Sequence, residues 1–331
     1  MSVYPLILEP ILKEKVWGGD RLARLNKDVA PGARIGESWE LADLASSDPG
    51  GGGGGAQRSR IANGSMRGLT LDEAITALGP NLMGSLHLQP GEVGFPLLLK
   101  YLDAKENLSV QVHPSPAYAA AHEDAKLKTE SWYVVDAEPG SVIYKGIKAG
   151  VTAEQFTRHI HDGSVVDDLI AIPARAGEFH HLPSGTCHAL GAGVMVAEIQ
   201  TPSDTTFRVF DWGRTGRELH VEQALECLSF DGSSEEDTAH VGRGEVLVET
   251  GHYGVREVRV RGWDTWSIER AALSPMILMV IEGEGRIEYG DGIDVAIHAG
   301  VTIVLPAALG SAAAAIVSDA VVLEIDFPQC R

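Results

Sequence analysis

A mainly β fold of the sandwich or jelly-roll kind is predicted for this 331-residue chain. Three observations predict it. Short runs rich in β-branched and aromatic residues recur along the chain, and Gly and Pro punctuate them. No strand–helix–strand alternation interrupts the series, which argues against a parallel sheet. A glycine followed by five residues and a proline stands at Gly177 and Pro183 and recurs at Gly300 and Pro306. The repeat reads as two related barrels.

In chain order, the first strand candidates are "FPLLLKYLDA", "LSVQVHP", "ESWYVVDA", "SVIYKG", "VMVAEIQT" and "TFRVFDW". After residue 240, "GEVLVET", "YGVREVRVRG", "DTWSIER", "PMILMVIEGEGRIEYG" and "VTIVLP" repeat the style. Helices are expected from Thr70, Ser115, Thr152 and His220 onward, with Thr152 and Gln155 fitting a capping box. The six glycines at 50–55 read as a flexible connector. The polar, acidic stretch at 229–238 reads as a boundary between residues 1–230 and residues 240–331.

Lys and Arg number 27 against 46 Asp and Glu, a net charge of −19. That disfavours nucleic acid or an anionic membrane as partner, since both need a positive footprint. An anionic small molecule needs only a local cluster of cations. Three cysteines without CxxC spacing argue against a disulfide framework or a Cys-rich zinc site. No signal peptide or run of about 20 apolar residues is visible, so a cytoplasmic protein is expected.

Ligands carried on a strand must alternate, because residues i and i+2 share a face. Gln111 and His113 meet this in "SVQVHP". Glu130 opens the next strand, and His188 follows the tight "PSGT" turn. Two imidazoles, one carboxylate and one amide oxygen offer a four-ligand site suited to zinc, with water or substrate as a further ligand. Taken singly, each histidine reads as a structural or surface residue. His159 and His161 are spaced like a ligand pair but fall on a predicted helix, where i and i+2 diverge; they read as a solvated helix end. His122, in an Ala-rich helix, reads as solvated too. His180 and His181 are strand neighbours facing opposite ways, positions where another aromatic could serve. In the second copy Ala308 replaces the glycine and Ser311 the histidine, so that barrel is expected to hold no metal.

The spacing of Gly177, Pro183, Gly185 and His188 matches the second cupin motif. Together with "VQVHP", "KTESWY", "SDTTFRVFDWGR", "EKVWGGDRL" and "IGESWELA", it resembles the short bacterial form of type I mannose-6-phosphate isomerases, in order from about residue 5 to 215. The resemblance implies two cupin-type jelly-roll β-barrels with a few short helices. It implies one zinc ion per chain on Gln111, His113, Glu130 and His188, and a catalytic arginine at Arg208. Trp17, Lys100, Ser109, Lys128 and Glu198 match other pocket positions of the family. Two departures stand out: the six-glycine run, and Ala192 where the general motif ends in asparagine. The short stretch between Glu130 and Gly177 leaves no room for the helical insertion of long-form members, which implies a more open pocket.

The implied reaction interconverts mannose 6-phosphate and fructose 6-phosphate through a cis-enediol. Zinc and Arg208 would stabilise the enediolate. Glu198 either acts as the base or orients Arg208 or a ligand. Lys128 either relays protons or binds substrate. Lys100 and Ser109 are the expected phosphate grip, and Trp17 either stacks on the sugar or packs in the core. The partner is a sugar phosphate and the assembly a monomer or homodimer. A non-catalytic sugar-phosphate sensor on the same barrel is the rival. An iron dioxygenase, of a class that usually takes His-rich or 2-His-1-carboxylate sites with open positions, is a further rival, and the amide ligand and adjacent lysines fit it less well.

Overall fold

The computed structural model describes residues 3–44, 57–86, 94–123, 125–230, 246–268, 273–289, 293–310 and 312–327. The glycine run at 50–55, most of the predicted boundary at 229–238, Ser311 and Cys330 lie outside the described residues. The fold is mainly β, and every strand pairing among the described strands is antiparallel.

Four larger sheets form two face-to-face pairs. In the first half, a six-stranded sheet runs Phe179–Leu182, Glu130–Ala137, Val194–Gln200, Leu98–Ala104, Ile11–Gly19, Ile35–Leu41. Facing it is a five-stranded sheet of Leu169–Pro173, Val142–Ile147, His188–Leu190, Val110–Val112 and Phe207–Phe210. The second half pairs a six-stranded sheet, which includes Met276–Glu282, Ala320–Asp326 and Gly254–Val260, with a four-stranded one. The short strand Leu6–Ile7 joins that second-half sheet, pairing Leu6 with Val304. The two halves therefore share a strand.

The six-stranded sheet of the first half is buried on both faces, and its alternation shows why. Leu99, Tyr101, Tyr133, Ala197 and Ile199 belong to a core shared with Ile277, Met279, Leu323 and Ile325 of the second half. Their sequence neighbours Lys100, Trp132 and Glu198 point the other way, between the sheets of the first half. A period of two thus turns one strand into both a domain contact and a site wall.

Helices lie where caps predict them. Thr70 and Glu73 form a capping box on Leu71–Leu78. Ser115 accepts from the Tyr118 amide on Pro116–Ala121, a helix shorter than the sequence suggests. On Ala153–Asp162, Thr152 Oγ1 accepts from the Gln155 amide at 3.2 Å. The fourth helix is Val221–Cys227. The strand Ala312–Ile316 was invisible to pattern reading: five residues, four of them alanine, resemble a helix more than a strand. Alternate burial against the apolar interior decides its conformation, as context overrides weak propensity.

Candidate metal centre and its cavity

Cross-strand registry assembles the site. On the five-stranded sheet, Arg208 lies opposite Gln111, Gln111 opposite His188, and His188 opposite Lys145. On the facing sheet, His180, Trp132, Glu198, Lys100 and Trp39 form one row. Glu130 sits one step along, paired with Leu182 and Gln200. The "PSGT" turn sets His188: Gly185 takes φ +88, a left-handed value that glycine adopts without strain, and the Thr186 amide donates to the Pro183 carbonyl.

His113, Glu130 and His188 are all buried, and their potential ligand atoms lie within 4.8 Å of one another. His113 Nδ1 meets the Thr205 carbonyl at 3.1 Å, and His188 Nδ1 meets the Thr186 carbonyl at 2.9 Å. A carbonyl only accepts, so each Nδ1 carries the proton and each Nε2 turns a lone pair inward. Those lone pairs face Glu130: His113 Nε2 is 3.1 Å from Oε2, and His188 Nε2 is 3.2 Å from Oε1. His113 Nε2 and Glu130 Oε1 have no hydrogen-bond partner in this arrangement, and Glu130 Oε2 is met only by the Lys128 ammonium. Buried lone pairs turned on one another are costly unless a cation lies between them. The donor set therefore fits a divalent metal such as zinc.

Charge supports that fit. Burial, and then Lys128, push the His113 imidazole down to about 3, so it stays neutral as a ligand must. Burial would raise the Glu130 carboxyl, but Lys128, at 2.8 Å, and the two histidines hold it well below the usual carboxylate range. Gln111 Nε2 lies 3.2 Å from His188 Nε2. A half-turn of that amide brings Oε1 to the same place, as a fourth ligand requires.

Above this floor lies a cavity of about 290 Å³. Trp17, Lys100, Ser109, Gln111, Lys128, Glu198 and Arg208 all line it. Trp17 does so while packing in a buried cluster with Leu102, Leu108 and Trp132. Glu198 Oε2 accepts from Trp132 Nε1 at 3.0 Å, and Oε1 lies 3.3 Å from Lys100 Nζ. Burial raises the Glu198 carboxyl. Lys100 is held protonated against its burial by Glu198, Glu37 and Asp204. The two shifts agree: one ammonium shared among several carboxylates satisfies none of them fully. Arg208 is fixed at one end, Nη1 donating to the Glu218 carbonyl at 2.6 Å, while its buried Nε has no partner.

Some wall residues escaped the sequence reading. Arg217 lines the cavity with Nη2 3.3 Å from Ser109 Oγ, and Glu37 and Asp204 surround Lys100. Arg217 sits in an irregular loop, where no periodicity singles out an arginine.

The remaining histidines divide. His159 is not a solvated helix end: its Nδ1 lies 2.7 Å from the Asp168 carboxylate, which the 3₁₀ turn Val165–Asp168 brings against the helix. His122 is half-buried and stacks on Tyr118 at 3.9 Å between ring centroids. His180 is fully buried between the sheets, and burial pushes it down to about 4. His181 does more than an aromatic could, because its Nδ1 meets Ser131 Oγ at 2.9 Å. In the second half, the core between the sheets is apolar, with Ile268, Leu278, Val280, Ile287 and Val322.

Comparison with known proteins agrees with this architecture. A family model of the phosphomannose isomerase type I catalytic domain matches residues 6–140. The mannose-6-phosphate isomerase of Streptococcus mutans is 36% identical over 296 residues, covering 86% of this chain and 87% of that one. The crystal structure of mannose 6-phosphate isomerase from Bacillus subtilis matches with a TM-score of 0.81 at 29% identity, covering 97% of this chain and 99% of that one. A zinc-bound mannose 6-phosphate isomerase shares the fold with a TM-score of 0.72 at 17% identity, covering 96% and 98%. The chain belongs to the type I mannose-6-phosphate isomerase family of enzymes.

Proposed function

We propose that the chain interconverts mannose 6-phosphate and fructose 6-phosphate through a cis-enediol, with one zinc ion per chain. The observation that carries this reading is the trio His113, Glu130 and His188, lone pairs turned inward at 3.1 and 3.2 Å, beneath a cavity walled by Arg208, Lys128 and Glu198. The names of the relatives supply the substrate, and the zinc-bound relative supports the metal. His113, Glu130, His188 and Gln111 would hold zinc, which supplies a Lewis acid whose charge one carboxylate does not cancel.

The chain's own residues account for the rest. Glu198 takes and returns the proton between C1 and C2: its carboxyl is raised by burial toward the working range of a general base. Trp132 Nε1 and Lys100 fix its orientation. Arg208, held by the Glu218 carbonyl, presents its remaining N–H donors to the oxygen where negative charge develops. Ser109, with Arg217 beside it, grips the phosphate, and Lys100 adds positive charge deeper in the wall. Lys128 is the nearest cation to Glu130 and shields its charge from the substrate's own oxyanion. Trp17 closes one side of the cavity against the sugar ring.

The test is a coupled assay of mannose 6-phosphate conversion, before and after chelation and zinc return. Activity should vanish with the metal and come back with zinc. Activity that survives complete metal removal, or sugar-phosphate binding without turnover in zinc-loaded protein, contradicts the reading; the latter would favour a sensor. Run in deuterated water, the reaction should place deuterium on the sugar, whereas full conversion without any would point to hydride transfer.

A further inference from the structure

The strand that begins with Glu130 has a second face, and it is held by the second half of the molecule. Glu130 is the first residue of Glu130–Ala137 and follows a segment without regular structure, so its position is not fixed by strand on both sides. Its neighbour Ser131 points away from the site. There Ser131 Oγ is 2.9 Å from the hydroxyl of Tyr253 and 2.9 Å from His181 Nδ1. Two residues on, Tyr133 Oη donates to Glu257 of the second half at 2.6 Å.

Tyr253 is itself anchored. It is fully buried, and its amide donates to Thr250 Oγ1 at 2.9 Å while its carbonyl accepts from the Thr250 amide. Burial pushes its phenol up and keeps it protonated. The hydroxyls of Tyr253 and Ser131 and His181 Nδ1 thus form one continuous hydrogen-bonded chain.

We propose that Tyr253 and Ser131 are positioning residues for the metal: through their hydroxyl pair the second half sets where the Glu130 carboxylate stands. The proposal rests on the metal reading above. Its physical basis is the tolerance of a metal site, whose ligand distances must be right within ~0.2 Å. Without a metal, the Glu130 oxygens face two imidazole lone pairs and are driven back from them. A strand end can give way, and what resists is the ladder to Leu182 and Gln200 with the bonds of Thr129 to Thr201 and Leu182, all on the first half's own sheet side. A bond at the adjacent residue, tied to a different sheet, stops that retreat. It also gives the second half a part in the chemistry of the first.

The experiment uses the full chain as apo-protein. Zinc affinity is measured by competition with a chromophoric chelator in wild type, Tyr253→Phe, Ser131→Ala and the double variant. The visible spectrum of each cobalt(II)-loaded form and the melting temperature of each apo form are recorded alongside. Tyr253→Phe keeps the ring and loses only the hydroxyl. It should bind zinc about tenfold more weakly, at the low end of the ~10–100-fold effects of groups that orient ligands, with a changed cobalt spectrum. The double variant should be no weaker than the worse single one. Wild-type zinc affinity and an unchanged cobalt spectrum in Tyr253→Phe, whatever its melting temperature, overturn the linkage alone. A wild-type chain that binds neither ion overturns the metal reading and this inference with it.

Discussion

Each half of the chain stacks two antiparallel sheets, and each carries a strand flanked by a glycine and, six residues on, a proline that begins a turn. Between the first pair of sheets stand His113, Glu130, His188, Lys128, Lys100 and Glu198, all buried. Between the second pair stand Leu278, Val280, Ile287 and Val322. The turns differ in the same sense. In the first, Gly185 opens the chain and His188 follows onto a strand. In the second, Pro306 leads straight into the short 3₁₀ helix Ala307–Leu309, and the Gly300 carbonyl accepts from buried Lys27 of the first half. The same architecture tolerates either interior. The apolar one stabilises by burial, whereas the polar one is stable only if its lone pairs are matched by protons or a metal.

Replacing a ligand should break this contrast most. His188→Ala should abolish both zinc retention and isomerase activity, as elemental analysis and the coupled assay would register. His180→Phe should keep the metal, although His180 occupies the same interior. Zinc retained by His188→Ala would sink the ligand assignment. Next in size, Arg208→Ala should lower kcat/KM by about 10²–10³, the usual effect of removing one stabiliser of developing charge, with metal content unchanged. Loss of metal from that variant would make the residue structural.

The second interior should answer differently. Leu278→Ala, in the apolar core, should cost about 2–5 kcal/mol of stability, read from urea unfolding, with one zinc per chain still bound. Smaller again, Arg217→Ala should raise KM for mannose 6-phosphate by roughly tenfold, the size of one charge-assisted hydrogen bond, and leave kcat almost unchanged. An equal fall in kcat would move Arg217 from phosphate grip to the reacting centre.

The buried imidazole of His180 gives the first half a pH dependence. Its folded value of about 4 lies below the ordinary 6.5, so the unfolded chain takes the proton first as pH falls. The stability it confers is complete above about 6.5 and is lost between there and about 4, up to ~3 kcal/mol for this group. Relative to His180→Phe, wild type should therefore lose stability across that window, as urea midpoints at a series of pH values would show. Parallel profiles would mean that the ring finds a proton acceptor when it charges.

How much of this was legible in the sequence follows from the range over which a pattern carries. Alternation within one strand shows that Gln111 and His113 share a face, and a tight turn marks His188. The row from Arg208 to Lys145 depends on pairing between strands far apart in the chain, and no local period reports it. Resemblance to a family placed Trp17, Lys100, Ser109, Lys128, Glu198 and Arg208 at pocket positions, and the cavity gathers them. Arg217 and Asp204 lie in irregular segments and escaped notice. The link between Ser131 and Tyr253 was unreadable because no local pattern pairs two hydroxyls 122 residues apart. The alanine strand Ala312–Ile316 takes its form from what it packs against, which composition does not record.

The central claim is that the first interior alone holds the metal and the chemistry. Titrating the apo-protein with zinc, while following bound metal and conversion of mannose 6-phosphate together, tests it most directly. Activity should rise in step with occupancy and level off at one equivalent per chain. Full activity before any zinc is added, or a second equivalent needed to reach it, would contradict the account.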